Sequence, residues 1–187
     1  MKLALCLDGL PAGDLPAIAA EAERRGFRKI LAAETTGAEP FVACAAMAAA
    51  TRSILVGTGI AGIHGRSAAS TAMAAASLAT LSGDRFVLGL GLQSRGLVEG
   101  LHGTTYGGLG AMRQTIHVVR RLLAGGEHAK GGILRQPLGV VGILVTRQAA
   151  VEREADLHDV IRIVEPDAIG DDTQPSFNYF AFDFEGS

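Results

Sequence analysis

Two clusters of glycine set the chemistry open to this chain. Gly57, Gly59 and Gly62 follow one apolar β-like run, Gly89, Gly91 and Gly96 accompany the next, and an alanine-rich stretch lies between them. Two β-runs joined through a helix make a parallel unit whose ligand crevice lies at the carboxyl ends of its strands. Glycine there leaves bare backbone, so a flat ring or a phosphate can approach where a side chain would stand in the way. Residues 54–103 are therefore the expected ligand site, with the glycine corners as its floor. The plainer alternative is that Gly57 and Gly59 only turn the chain out of a strand. His64, just past the first cluster, is by type a proton shuttle near neutral pH, or else a loop histidine in contact with solvent. Gln93, Ser94 and Arg95 put an amide, a hydroxyl and a guanidinium at the second turn. Such a set suits an anionic tail, with arginine as the bidentate donor.

Four strand-helix units in succession supply the frame for these groups. Residues 3–7 read as a strand, Asp14 as the N-cap of a helix over 17–25, and Gly26 as its stop. Residues 27–33 form the second strand, closing on Glu34. Pro40 opens an alanine-rich helix running to about Thr51, since the first turn of a helix has no use for the missing N–H. A strand over 53–60, a helix over 67–81 and a strand over 86–92 follow. Ile116, Val119, Leu122 and Leu123 give residues 112–124 a helical spacing that Gly125 and Gly126 end. This alternation predicts a parallel sheet covered by helices. Beyond it, 127–137 read as loop, 140–146 as a β-like run, 149–157 as an amphipathic helix, 160–164 as a short strand and 165–174 as loop. The aromatic end, 177–184, is expected to pair as a strand or to dock on an apolar surface, another subunit's included.

With 187 residues, 48% of them hydrophobic, and a net charge of -2, the chain predicts one domain around one sizeable core. There is no basic tract, aromatic residues are few and tryptophan is absent, so nucleic acid is not an expected partner. The apolar start is interrupted by Asp8, Pro11 and Gly13 too early for a signal peptide or a membrane span, and no membrane association is expected. Cys6 and Cys44 have no metal-ligand spacing and are read as core filler in a reduced, cytoplasmic protein; no metal is expected.

Six motifs in one order carry a family likeness: AERRGF, AAETTG, EPFVACAAMAAATRSILVGTGIAGIHGRS, ASLATLSGDRFVLGLG, VEGLHG and MRQTIHVVRRLLAGG. Over roughly residues 1–126 the chain resembles the bacterial luciferase-like superfamily, above all its deazaflavin-dependent branch, typified by methylenetetrahydromethanopterin reductase. The resemblance implies a TIM barrel with a flavin or deazaflavin ring at the carboxyl ends of the strands. It also implies a non-prolyl cis peptide at Gly59–Ile60 backing that ring, which makes Gly57, Gly59, Ile60, Gln93, Ser94 and Arg95 the cofactor-contact candidates. Glu34 falls where the family has a cleft-facing polar residue, a place for an acid or base; an ordinary loop carboxylate is the alternative. His64 is the second catalytic candidate. Arg66 matches an arginine read as structural, a partner for carbonyls or a carboxylate, and Glu99, His102 and Gly103 repeat an element that shapes the cleft wall.

After Gly126 the likeness fades. A complete barrel takes about 250 residues, so the expected fold is a TIM-barrel-derived parallel sheet with covering helices, a truncated or incomplete barrel with residues 127–187 divergent. Residues 140–146, 160–164 and 177–184 would complete it, or a second chain would close the gap. A homodimer is expected. The leading function is a hydride-transferring or monooxygenating oxidoreductase that uses coenzyme F420 or FMN on a small organic substrate. Two alternatives stand beside it: a shortened relative, its cofactor lost, that binds a ligand or partner, and non-redox acid/base chemistry by Glu34 or His64 in a biosynthetic pathway.

Overall fold

The computed structural model describes residues 4–124; the expectations for residues 127–187 lie outside the described residues. The elements are β1 (Ala4–Leu7), α1 (Leu15–Arg24), β2 (Lys29–Ala32), α2 (Pro40–Ala49), β3 (Leu55–Thr58), β4 (Ala61–Gly62), α3 (Ala68–Ser82), β5 (Phe86–Val87), β6 (Leu90–Gly91), α4 (Arg95–Gly100) and α5 (Gly108–Leu123). Strands β1, β2, β3 and β5 pair in that order, every pair parallel, and β4 pairs with β6 a step further along the same chain directions. This is the expected α/β architecture, a parallel sheet under helices. Among the described residues the sheet is not closed into a barrel.

Register decides what each face of the sheet carries. Leu5, Ile30, Val56 and Phe86 stand side by side across it and join the main core with residues of the helices. The rings of Phe86 and Phe41 of α2 meet there at 6.2 Å between centroids. The next row, Cys6, Leu31, Gly57 and Val87, points to the opposite face, as the two-residue period of a strand requires. Cys6 and Cys44 are both buried and free, as expected of core filler. Burial, with Asp8 adding to it, pushes the Cys6 thiol up to about 11, and burial raises Cys44 as well.

Local chemistry explains the helix ends. Glu39 accepts the Val42 N–H at 2.8 Å with Pro40 in the first turn of α2, and Ser67 accepts the Ser70 N–H at 3.0 Å at the start of α3. Gly83, at φ 64°, takes the left-handed turn that closes α3. Asp14 stands at the head of α1 as read, yet its side chain makes no capping bond; its backbone is already helical, at φ -86° and ψ -22°, rather than extended as a capping residue's is.

Four elements differ from the sequence reading. The strand expected over 53–60 ends at Thr58, with β4 beyond it, and the one expected over 86–92 is split into β5 and β6; between them the buried Thr58 hydroxyl stands in for ladder bonds, donating to the Gly89 carbonyl at 2.7 Å and accepting the Gly89 N–H at 2.8 Å. Helix α5 begins at Gly108 rather than Met112, its first turn accepting glycines that would weaken a helix interior. Helix α4 was not anticipated; Ser94 caps it by accepting the Leu97 N–H at 3.3 Å, and Arg95 pairs with Glu99 one turn on.

At the amino ends of β3 and β5 the polar groups are densely satisfied. The Glu23 carboxylate gathers the N–H groups of Arg52, Ser53 and Ile54 and the Ser53 hydroxyl, and these bonds hold its pKa down to about 2, with partial desolvation opposing. Arg85 donates to the carbonyls of Ala48, Thr51, Ile54 and Ser82 and to the Thr51 hydroxyl, tying the end of α2 to β3 and β5. The contrast with the other end of the sheet locates the candidate site.

Candidate functional site

Glu34 follows the carboxyl end of β2 and reaches across to the turn around β4. Its backbone N–H donates to the Ile60 carbonyl at 3.0 Å, its Oε2 accepts the Gly62 N–H at 2.6 Å, and its Oε1 accepts from Arg66 Nη2 at 3.0 Å. The same Nη2 donates to Glu39 at 2.8 Å, and the Arg66 guanidinium lies 4.8 Å from the centre of the Phe41 ring. Glu34 and Arg66 are 9% and 16% exposed at their side chains, so the pair is a largely desolvated one. Arg66 is thus the carboxylate partner expected of it. Glu34 has both oxygens engaged in holding the turn.

The Gly59–Ile60 peptide bond is cis, at the position the family likeness indicated. The corners on either side of it are not bare. A Cβ on Gly59 would touch Leu31 and, at 3.2 Å, Cys6 Sγ; one on Gly62 would run into the Gln93 amide; one on Gly91 would run into Ile60; and one on Gly57 would strike the Val87 carbonyl. The expectation of an open glycine floor is therefore corrected on these sides. Glycine stands here because the protein's own side chains and backbone fill the space.

Gln93, Ser94 and Arg95 do not converge. Gln93 takes a left-handed backbone, φ 61°, which lays its amide over Gly62, and its Nε2 donates to the Glu34 carbonyl at 3.3 Å. Ser94 spends its hydroxyl on the α4 cap. Arg95 is exposed, paired with Glu99 at 2.9 Å and placed 4.8 Å from the centre of the Tyr106 ring. A side-chain grip on an anionic tail is not assembled by these three.

His64, after β4, accepts the Gly107 N–H on Nε2 at 3.0 Å and stacks on Tyr106 at 5.3 Å with 17° between the planes. Accepting on Nε2 places the proton of the neutral ring on Nδ1. Burial holds the imidazole below its ordinary pKa; the Leu92 backbone, outside hydrogen-bond geometry, opposes this, and neighbouring His102 adds to it. The His102 ring lies against Gly65, where a Cβ would come within 3.0 Å of it. Asp8, after β1, accepts the Thr35 hydroxyl at 2.6 Å beside Glu34.

Among the described residues, four buried side-chain atoms have no hydrogen-bond partner: His64 Nδ1, Arg66 Nη1, Gln93 Oε1 and His102 Nε2. Two belong to the segment following β4, one follows β6 and one follows α4, so all lie beyond the carboxyl ends of strands. Unsatisfied buried polar atoms are uncommon, and each calls for a partner such as an ordered water, an ion or a ligand. His64, Arg66 and Gln93 stand out in the sequence by type and place, His102 only as part of a cleft wall; Tyr106 and Gly107 do not stand out there. The contacts of those two with His64 span about forty residues and leave no local pattern.

This parallel half-sheet, with its polar cluster at the strand ends, has known relatives. The luciferase-like monooxygenase family matches residues 7–161, so the chain belongs to that family, and the match extends past Gly126, beyond the residues that carry the motifs. A Mycobacterium tuberculosis protein assigned as a coenzyme F420-dependent oxidoreductase is 33% identical over 108 residues, 57% of this chain and 31% of its own length. Among solved structures, the coenzyme F420-dependent tetrahydromethanopterin reductase of Methanopyrus kandleri superposes with a TM-score of 0.65 at 19% identity, over 78% of this chain and 49% of that one. The FMN-bound oxygenating constituent of 3,6-diketocamphane monooxygenase from Pseudomonas putida gives 0.66 at 16% identity, over 78% and 51%. These two share the fold. The chain spans under a third of the curated relative and about half of each solved one.

Proposed function

We propose that this chain is an oxidoreductase of the flavin and deazaflavin class, holding coenzyme F420 or FMN at the carboxyl ends of its strands and passing a hydride, or an oxygen atom, to a small organic substrate. The supporting observation is the gathering of four unpartnered buried polar atoms, on His64, Arg66, Gln93 and His102, beyond those strand ends in a member of this family. When bound, the cofactor supplies the redox chemistry; the chain supplies orientation. In this reading Gly57, Gly59 and Ile60 form the corner beside the ring, and Gln93, Ser94 and Arg95 border it. Glu34 fixes the turn through Gly62 and Arg66, and His64, neutral with its proton on Nδ1, holds or releases that proton. A homodimer belongs to the same reading, supported by the exposed side chains of Val42, Met73, Leu81 and Leu101.

One observation favours a second reading, a relative that binds a ligand or partner without redox turnover: Leu31, Gln93 and Ile60 fill the sides of Gly59, Gly62 and Gly91. Titration of the purified protein with FMN and with F420, followed by visible absorbance and by fluorescence quenching, separates the two. Saturable binding of one cofactor at micromolar concentration supports the oxidoreductase; no binding of either supports the second reading. Sizing at micromolar concentration tests the dimer, and a monomer there counts against it.

A further inference from the structure

The connection from α4 to α5, residues 101–107, is pinned against the segment after β4 at two places. His102 lies on the bare side of Gly65, and Gly107 donates its N–H to His64 while Tyr106 stacks on the same imidazole. Only the second pin depends on protonation, because the Gly107 N–H can be accepted by a neutral Nε2 and by no other form of the ring. We propose that His64 is a proton-operated latch: its neutral imidazole holds the 101–107 connection down beside the strand ends, and protonation turns Nε2 into a donor facing a donor, which releases it. A conformational gate of this kind is separate from any redox role and stands whether or not a flavin binds.

The surroundings favour release once the proton arrives. His102 faces His64 from the connection and opposes a charge on it, the Leu92 backbone favours one, and the Tyr106 ring that His64 stacks against carries the guanidinium of Arg95. Arg66, two residues along the chain, has its charge taken up by Glu34 and Glu39, and Glu99 is occupied by Arg95. Among the described residues no carboxylate pairs with His64. Burial of the ring acts in the same direction, keeping it neutral until the medium is more acid than an exposed histidine would need.

The test follows the amide of Gly107 and the ring protons of His64 by NMR between pH 8 and pH 5 in the intact wild-type chain. Both are expected to titrate together with a midpoint below 6.5, roughly the ordinary histidine value, while exchange protection of the Gly107 amide, corrected for intrinsic rate, falls about tenfold. In His64→Gln, whose side-chain carbonyl accepts the same N–H without titrating, protection persists to pH 5; in His102→Gln the wild-type dependence remains. A Gly107 amide that keeps its protection while His64 titrates overturns the latch. So does a pH dependence that survives in His64→Gln or vanishes in His102→Gln. The wild-type measurement decides the matter even where a variant fails to fold.

Discussion

The carboxylate of Glu34 accepts the Gly62 backbone N–H at 2.6 Å, joining the end of β2 to β4 across the turn that carries the Gly59–Ile60 bond. Through Arg66 the same carboxylate reaches the head of α3, and through its own backbone carbonyl it receives Gln93 from beyond β6. One residue therefore ties three strand ends together.

Removing that carboxylate leaves a buried N–H without an acceptor and an arginine with one partner fewer. Glu34→Ala is expected to lower stability by about 2–3 kcal/mol, less than a fully buried pair loses because Glu39 still faces Arg66. Glu34→Gln, which keeps an acceptor for Gly62, costs less. Urea unfolding at pH 7 measures both; equal losses would show that Glu34 does not act through this bond.

The glycine corners predict a ranking. An alanine at Gly57 meets the backbone carbonyl of Val87, which cannot step aside, whereas one at Gly62 meets the far end of the Gln93 side chain, which can. Gly57→Ala is expected to cost about 3 kcal/mol and Gly62→Ala about 1 kcal/mol. Thermal unfolding should place Gly57→Ala well below Gly62→Ala, and the reverse order would mean that the packing around β3 is looser than described.

Acid stability has a source at Glu23. Its pKa is lowered to about 2 in the fold from an ordinary value near 4.5, so its contribution is complete above that ordinary value and is lost as pH falls through 2. The carboxylate is solvent-exposed, which limits the contribution. Glu23→Gln should therefore be less stable than wild type at pH 7, with the gap closing between pH 4.5 and pH 2. Unfolding midpoints across that range provide the check; a gap that stays constant would point to packing rather than charge.

Arg85 is expected to resist conservative replacement. A planar guanidinium reaches four carbonyls and a hydroxyl at once, and a lysine ammonium cannot span them. Arg85→Lys should cost about 2–4 kcal/mol in urea unfolding, since carbonyls left without a donor are costly.

Much of this was legible in the chain. The order of strand and helix, the helix starts at Pro40 and Ser67, and the stop at Gly26, which takes the left-handed φ of 82°, are local matters of sterics and hydrogen bonding, so the parallel sheet and its helices could be read in order. The likeness of the glycine-rich motifs likewise located the Gly59–Ile60 bond. What those motifs could not reveal was what lies over each glycine, because Ile60 and Gln93 come to Gly91 and Gly62 through pairing of β4 with β6, about thirty residues apart. The same holds for His64 with Tyr106 and Gly107, and for the divergence of Gln93, Ser94 and Arg95, which share a turn but belong to different surroundings. Sequence by itself determined the periodicities and the residue types, since these act over a few positions. Tertiary structure alone decided which polar atoms were satisfied and which were left open, since that depends on partners the chain brings together only by folding.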